Sequence, residues 1–387
     1  MELYTFDKRI KIIRMNLKHN IFSIIFLLCF PLILSAQKIV LGSCTTHDSG
    51  KYKGEMASGK PNGKGSTIFK NGDVYEGEYV KGKRQGYGIY TFADGEKYEG
   101  EWFQDQQHGK GTYYFSNNNK YVGLWFRDYQ QGHGTMYYYN GDRYDGDWFQ
   151  DQRQGYGVYT FATGAYYKGQ WKNDMKNGKG FFDWGDGTTY SGDWANNQRS
   201  GKGVNYYSDG DVYSGNWLED IQNGKGIYKF KNGDKYEGDY VQGERTGEGI
   251  FTYANGDKYT GHFQESAKDG DGTFIWKNGD IYIGQWKNDL QNGHGKLTKK
   301  MGDIFEGNFK DGHVEGEVII HYADGSKFRG VYHEGKRNGA AIEETKDGKR
   351  WEGTYKDDIR DGKFIEKDRN GQVTGSGVYE GGKRIDD

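Results

Sequence analysis

Residues 75–97 read YEGEYVKGKRQGYGIYTFADGEK, and the same pattern then begins again. Tyr75 is followed by Gly77 two residues later and by a second aromatic residue, Tyr79, after two more. Near its end the stretch carries the dipeptide Asp94-Gly95. Asp-Gly between segments of alternating apolar residues is among the strongest short-range signals for a β-hairpin. The stretch therefore predicts one β-hairpin for every 23 residues.

An aromatic anchor recurs at this 23-residue spacing without an insertion through fourteen copies. The anchors are Tyr52, Tyr75, Tyr98, Tyr121, Tyr144, Tyr167, Tyr190, Tyr213, Tyr236, Tyr259, Tyr282, Phe305, Phe328 and Trp351. A fixed period of this length is the signature of a repeat architecture. Regular recurrence favours a structural role over a functional one for Tyr75, Gly77, Tyr98, Gly100, Trp102, Gly109 and Gly111.

Each unit contains two short strands joined at the Asp-Gly or Asn-Gly dipeptide. The first carries Tyr-x-Gly-x-Trp, and the second carries Gly-x-Gly followed by alternating aromatic residues. A two-residue turn at the dipeptide would place the two aromatic sets on opposite faces, whereas a three-residue connection closed by a left-handed glycine places them together. We favour the second, because it builds one continuous aromatic face. A single hairpin is marginal in water, so the units are expected to stack into an array of about 130 Å.

These features resemble the MORN (membrane occupation and recognition nexus) repeat, carried by Tyr-Glu-Gly-Glu-Tyr at 75–79, Tyr-Glu-Gly-Glu-Trp at 98–102 and the Gly-x-Gly that follows each. The resemblance implies an all-β fold: an elongated, twisted, single-layer antiparallel sheet of about fourteen stacked 23-residue hairpins over residues 52–363. It also implies scaffolding, dimerisation and, in some members, membrane attachment. Residues 37–51 are then an N-terminal linker, and 364–387 a degenerate C-terminal cap.

The first 36 residues have the organisation of a secretory signal peptide. A basic segment precedes the apolar run 21–34, and Ser35-Ala36 supplies the small residues of a cleavage site. We expect cleavage after Ala36 and a secreted or periplasmic protein, with an uncleaved anchor as the alternative. Cys44 would be the one cysteine of the mature chain, and Leu41-Gly42-Ser43-Cys44 resembles a bacterial lipobox, so lipidation of Cys44 is a lesser hypothesis.

Composition and motifs argue against several function classes. The 53 basic and 55 acidic residues make nucleic acid a poor candidate partner. The sequence contains no nucleophile elbow, no Walker loop and no zinc-ligand spacing, so we expect neither an enzyme nor a cofactor. His133 and His294 occupy the centre of Gly-x-Gly, where other copies hold lysine, tyrosine or glutamate, which favours loop positions over metal ligands.

One column, meaning one position of the 23-residue repeat followed through all copies, departs from the pattern in three successive copies. Five residues after the anchor, Phe103, Phe126 and Phe149 stand in three successive copies, where most other copies hold polar or small residues. Their parity is opposite to that of Trp102, so they are expected on the other face of the sheet. Val122 and Leu124 share that face, and Tyr114 and Tyr137 lie near it. Together these residues predict an exposed apolar patch that binds a partner.

The sequence therefore predicts a non-catalytic extracytoplasmic scaffold that binds a protein partner or itself. The alternative is a membrane- or cell-surface-attached module that binds lipid or cell-wall glycan. Glycan binding would need exposed Trp or Tyr rings, and the Trp column is expected to be buried. Lipid binding is weakened by the near-neutral charge of the chain.

Overall fold

The computed structural model describes residues 38–385, and within this range every regular element is a β-strand. The predicted signal peptide therefore lies outside the described residues. The strands are β1 Val40–Thr45, β2 Lys51–Ala57, β3 Lys60–Ile68, β4 Val74–Val80, β5 Lys83–Thr91, β6 Lys97–Phe103, β7 Gln106–Tyr114, β8 Lys120–Phe126, β9 Tyr129–Tyr137, β10 Arg143–Phe149, β11 Gln152–Thr160, β12 Tyr166–Lys172, β13 Met175–Asp183, β14 Thr189–Ala195, β15 Gln198–Tyr206 and β16 Val212–Leu218. They continue as β17 Ile221–Lys229, β18 Lys235–Val241, β19 Glu244–Thr252, β20 Lys258–Gln264, β21 Ala267–Ile275, β22 Ile281–Lys287, β23 Leu290–Thr298, β24 Ile304–Lys310, β25 His313–His321, β26 Lys327–His333, β27 Lys336–Glu344, β28 Arg350–Lys356, β29 Ile359–Arg360, β30 Gly362–Lys367, β31 Val373–Glu380 and β32 Lys383–Ile385.

All of these strands belong to one antiparallel sheet in which nearly every strand pairs with its neighbours in the chain. Near the end β28 pairs with both β29 and β30. The predicted all-β, single-layer array of hairpins is thus confirmed. Residues 40–45, within the segment expected as a linker, form strand β1 on the edge of the first repeat.

The connection at the Asp-Gly or Asn-Gly dipeptide has the favoured three-residue form. Phe92 N–H donates to the Glu96 carbonyl at 2.9 Å, and Gly95, with φ of +91°, donates to the Phe92 carbonyl at 3.0 Å. Beyond this connection Tyr90 pairs with Tyr98, so the aromatic residues of both strands share one face. We name this the inner face, and the opposite side the outer face.

A second connection joins the Tyr-x-Gly-x-Trp strand to the Gly-x-Gly strand, and the sequence analysis did not identify it. In the third repeat it is a two-residue turn, Gln104-Asp105, with both φ angles positive, at +52° and +75°. Such type I′ turns match the right-handed twist of the flanking strands. A bulge follows at once, because Trp102 pairs with Gln107 while Gly100 pairs with Gly111. The bulge shifts the register by two residues, so that Gly100 pairs with Gly111 and Tyr98 pairs with Tyr113.

The inner face forms the core, and its centre is the anchor tyrosine packed over two glycines. Tyr75 is fully buried, and a Cβ on Gly88 would lie 2.2 Å from its hydroxyl oxygen. Tyr75 O–H donates to the Glu78 carbonyl at 3.1 Å, at the position of the bulge. Only glycine leaves room for this ring, which explains the fixed distance between the anchor and Gly-x-Gly.

The second aromatic column packs edge-on against the anchors of two repeats. Trp102 meets Tyr98 of its own repeat and Tyr75 of the preceding one, both with ring centroids 5.3 Å apart. Its indole N–H donates to the Gly88 carbonyl at 3.2 Å. Edge-to-face pairs add about 1 kcal/mol each beyond burial. The same contacts recur along the array, so each repeat depends on its neighbour.

Candidate functional site

The three phenylalanines of the predicted patch lie on the outer face, at the ends of β6, β8 and β10. Phe103, Phe126 and Phe149 are 47%, 44% and 50% exposed. Successive rings are separated by two strands, or ~10 Å, so they form a row along the array. This placement agrees with their sequence parity, and a binding role for them stays a prediction.

The other four predicted residues share the outer face but extend away from this row along the strands. Val122 and Leu124 are each 40% exposed and lie on β8 with Phe126. Tyr114 and Tyr137 both pair with Lys120, six residues from Phe126 along β8. Their rings are covered in part by lysine ammonium groups, with Lys97 Nζ 4.4 Å from the Tyr114 ring centre and Lys120 Nζ 4.7 Å from that of Tyr137. These tyrosines are therefore a separate cation–aromatic row.

Two residues that the sequence analysis missed complete the phenylalanine row. Tyr129 pairs with Phe126 across the two-residue turn and is 47% exposed. The His108 ring lies between Phe103 and Phe126, with centroid distances of 5.5 and 5.2 Å. The signal for Tyr129 was available, because the neighbouring copies carry glutamine at its position, Gln106 and Gln152. We name Phe103, His108, Phe126, Tyr129 and Phe149 the outer aromatic row.

Acidic side chains three residues after the anchor also have a defined place on the outer face. Asp193 Oδ2 accepts the Lys202 N–H at 3.0 Å, and Glu55 Oε2 accepts the Lys64 N–H at 2.6 Å. These N–H groups belong to the bulges at Lys202 and Lys64. On the outer face, the acids therefore accept hydrogen bonds from backbone N–H groups of the bulge. On the inner face, the anchor hydroxyl donates to a backbone carbonyl at the same bulge.

The outer face also holds a long depression of about 1280 Å³ farther along the array. Its walls include Lys179, Lys225, Val204, Ile227 and Ile250. Lys179 and Lys225 contact Asp193 and Asp239 at 2.6 and 2.7 Å, so their charges are paired within the sheet.

The inner face carries a groove of about 940 Å³ that crosses the repeats from Arg84 to Asp174. At its end Arg153 lies over the Trp171 ring, with its guanidinium carbon 4.5 Å from the ring centre. Arg153 Nε donates to Asp174 Oδ1 at 3.0 Å, and Nη2 donates to the Asp174 carbonyl at 2.9 Å. Asp174 is the second residue of the two-residue turn in the next repeat, so this contact ties two repeats together.

Cations occupy the same column in many repeats and stack on the tryptophans. Lys176 Nζ is 4.3 Å from the Trp194 ring centre, and the Arg199 guanidinium is 4.2 Å from that of Trp217. Burial lowers the pKa of the Lys176 ammonium to about 8. A cation over a tryptophan face is worth about 0.5–2 kcal/mol, depending on how far it is desolvated.

Cys44 and the predicted structural residues lie within the packed array. Cys44 is half-buried in β1 and pairs with Tyr52. Processing immediately before Cys44 would remove residues 40–43, which pair with β2. Within residues 38–385 no group of three or more His, Cys, Asp or Glu side chains is placed to hold a metal ion. No helix in this range is long and apolar enough to cross a membrane.

Comparison with known proteins gives one family and weak structural likenesses. The family model described as MORN repeat matches eleven consecutive segments: 52–74, 75–97, 98–120, 121–143, 144–166, 167–189, 190–212, 213–235, 236–258, 259–281 and 282–304. No curated protein matches the sequence.

Among solved structures, the TCP domain of Drosophila melanogaster SAS-4, in complex with a proline-rich motif of Ana2, is 15% identical with a TM-score of 0.26. The alignment covers 40% of this chain and 85% of the SAS-4 chain. The TCP10 domain of Danio rerio CPAP is 12% identical with a TM-score of 0.23, and covers 62% of this chain and 96% of that one. At these TM-scores the likenesses carry no argument about what this chain does.

Proposed function

Because the chain belongs to the MORN repeat family, we propose that it is a non-catalytic scaffold outside the cytoplasm that binds a protein partner through the outer aromatic row. The observation that carries the proposal is the exposure of three phenylalanines, 44–50%, in register on successive repeats. Exposed apolar patches on soluble proteins often mark interaction sites. Aromatic residues are also enriched where protein interfaces carry most of their binding energy.

The alternative of a glycan-binding module has less support from the same geometry. Sugar recognition by stacking needs an open ring face, whereas Trp102, Trp125, Trp148 and Trp171 are only 5–6% exposed and pack against the anchors. The outer row consists of phenylalanine and tyrosine with a histidine between two of the rings. A protein surface with apolar side chains suits this row better than a hydroxyl-rich polymer does.

Site-specific photocrosslinking in the native host tests the proposal. A photoreactive phenylalanine analogue at position 126 should yield a protein adduct that mass spectrometry identifies. The adduct should be lost when Phe103 and Phe149 are both replaced by serine. The matched control places the analogue at Leu218, which occupies the same column and is 50% exposed but has no aromatic neighbours in that column. The proposal is wrong if position 126 yields no protein adduct, or the same adduct as position 218.

The extracytoplasmic location rests on the sequence of residues 1–36 and has its own test. The protein recovered from outside the cytoplasm should begin at Gln37 when its N-terminus is determined by mass spectrometry. A chain that begins at an acylated Cys44 would favour the lipid-anchored alternative. A full-length chain recovered from the cytoplasm would contradict export.

A further inference from the structure

Nine residues after the anchor, the inner face carries a column whose residue type is matched to the turn of the following repeat. Where the column holds a cation, the second residue of that turn is usually polar or acidic: Arg84 with Asp105, Arg153 with Asp174, Lys176 with Asn197, Arg199 with Asp220, Arg245 with Ser266, Lys268 with Asp289, and Arg337 with Asp358. Where the column holds Gln222 or Gln291, the turn residue is Gly243 or Gly312. In these two cases the neutral side chain faces a second turn residue that has no carboxylate.

Two adjacent repeats break this match. Gln107 and Gln130 are neutral, yet the turn residues that follow them are Asp128 and Asp151. Each carboxylate accepts the backbone N–H of its glutamine, at 2.7 and 2.8 Å. Within the described part of the chain, neither carboxylate forms an ion pair. Two neighbouring acids therefore lack the cation that most of their counterparts bind.

The place of the missing cation opens into the inner-face groove, which Asp128, Asp151, Gln107 and Gln130 all line. Gln107 and Gln130 are 7% and 5% exposed, and their side-chain amides form no hydrogen bond within residues 38–385. Both side chains are thus more than nine-tenths buried and line the groove, while their amide groups keep a hydrogen-bonding capacity that the chain itself does not use.

The two open positions lie side by side in the inner-face groove. The groove is lined by both glutamines, both aspartates and the aromatic residues Tyr113, Trp125, Tyr138 and Trp148. Its other charged side chains are already paired, Arg84 with Asp105 and Arg153 with Asp174. The unpaired charge of the groove is therefore negative and concentrated at its centre.

We propose that this groove binds an extended peptide segment through two arginine side chains, one at each open position. The chemistry is that of Arg153, whose guanidinium donates to both the carboxylate and the carbonyl of Asp174 while it covers a tryptophan. The planar guanidinium of arginine holds its N–H donors in a fixed arrangement, and it therefore makes these contacts better than a lysine ammonium does. We expect the bound arginines also to donate to the side-chain amide oxygens of Gln107 and Gln130, which accept no hydrogen bond within residues 38–385.

The separation of the two positions defines the partner further. They belong to successive repeats and are therefore ~10 Å apart, the width of two strands. In the polyproline II conformation, residues three apart lie on the same side and ~9 Å apart. The segment is thus expected to carry arginines at positions i and i+3. This site is on the face opposite to the outer aromatic row, so it is independent of the function proposed above.

Titration of the purified full chain with a defined peptide tests the inference. The probe is the peptide Pro-Arg-Pro-Pro-Arg-Pro, acetylated at its N-terminus and amidated at its C-terminus. Its binding is measured by isothermal titration calorimetry. The control peptide carries citrulline, the neutral isostere, in place of both arginines. The test variant is Gln107→Arg with Gln130→Arg, which supplies the cations from the chain itself. The matched control variant is Gln222→Arg, in the same column but facing Gly243.

The arginine peptide is expected to bind the wild-type chain, and the citrulline peptide to bind at least tenfold more weakly, the effect of losing about one charge-assisted hydrogen bond. The double Gln→Arg variant should lose binding by at least about tenfold, with no fall in its melting temperature, while Gln222→Arg binds as the wild type does. Replacing Asp128 and Asp151 by asparagine, the residue that the chain itself has at Asn197, should also weaken binding. Equal binding of both peptides, or undiminished binding by the double variant, would overturn the inference.

Discussion

At the scale of single residues, the anchor and the second glycine of Gly-x-Gly vary together. The eleven anchors from Tyr52 to Tyr282 are all tyrosine, and each ring packs over the glycine at this position. The last three anchors, Phe305, Phe328 and Trp351, are not tyrosine, and the facing residues are Val318, Ala341 and Phe364. A side chain at this position fills the space where the hydroxyl end of a tyrosine would lie. The core accordingly continues there as a second buried cluster, with Val314 in contact with both.

Gly88→Ala should destabilise the repeat that contains it. The new Cβ would lie 2.2 Å from the Tyr75 hydroxyl oxygen and 2.4 Å from Cζ, so the ring must move, at a cost of about 1–3 kcal/mol. Native-state hydrogen exchange of the β4 and β5 amides would report the loss as a lower free energy of opening.

The decisive control is the double variant Tyr75→Phe with Gly88→Ala, which reproduces the combination of Phe328 with Ala341. It should be destabilised by less than the sum of the two single variants, with a coupling of about 0.5–3 kcal/mol. Additive costs would mean that the ring and the facing position do not compete for space.

At the scale of the element, the two-residue turn joins one repeat to the next. Asp220 has a φ of +69° and accepts both the backbone N–H and the Nε–H of Arg199, at 2.9 and 3.0 Å. Asp220→Ala removes both acceptors and places alanine in the left-handed region. We expect a loss of about 2 kcal/mol in the local stability of β15–β17, measured by hydrogen exchange.

Asp220→Asn keeps the turn conformation and the side-chain acceptor and removes only the negative charge. Asparagine tolerates positive φ, and Asn197 already occupies the equivalent position with its Oδ1 accepting the Lys176 N–H at 2.8 Å. This variant should lose well under half as much stability as the alanine variant. Equal losses would show that the ion pair, and not the turn, stabilises the junction.

The loops at the other end of the hairpins contain a second link between repeats, and it should depend on pH. Asp280 accepts the Lys300 N–H and contacts Lys299 Nζ, both at 2.9 Å, and these contacts hold the pKa of the Asp280 carboxyl below its ordinary value of 3.8. A depressed pKa contributes stability above the ordinary value, and that stability is lost as the pH falls through the folded-state pKa. Asp280→Asn should therefore lower the melting temperature at neutral pH, with a difference that shrinks below pH 3.8.

The matched control is Asp269→Asn, whose carboxylate forms no hydrogen bond or ion pair within residues 38–385. It should show a smaller difference with little dependence on pH in the same range. A wild-type advantage over Asp280→Asn that stays constant into acid would contradict the assignment to this carboxylate.

The sequence predicted one of the two connections and missed the other for a physical reason. Asp94-Gly95 and its equivalents carry the glycine that a left-handed position favours, so the three-residue form could be inferred. The two-residue turn is occupied by pairs such as Gln104-Asp105 and Asn173-Asp174, which resemble solvated charge. Their role becomes visible only when the backbone N–H of the preceding repeat is seen to bind the aspartate.

The candidate site was predictable to a similar extent. Parity alone placed Phe103, Phe126 and Phe149 on the face opposite to Trp102. It did not indicate that Tyr129 joins them, since that depends on the register across the unrecognised turn. The unpaired aspartates at 128 and 151 were also missed, because their meaning depends on which residue of the preceding repeat each one faces.

At the scale of the whole molecule, the sequential pairing of the strands predicts an elongated particle. Fourteen repeats of two strands each extend on the order of 130 Å. Small-angle scattering combined with multi-angle light scattering on residues 37–387 should give a rod of about this length. A monomer mass would fit a scaffold that needs a foreign partner, whereas a dimer mass would assign self-association to the terminal repeats. A compact particle would contradict a linear array.

The same pairing determines how the molecule responds to force. The hydrogen bonds between strands run along the axis of the array, so tension between its ends loads them one after another instead of together. Such a ladder unzips at low force, one hairpin at a time. Each opening releases 23 residues of chain, which lengthens the molecule by roughly 70 Å. Fixed at one end and pulled at the other, the scaffold would act as an extensible tether that lengthens in equal increments and shortens again when the load is removed.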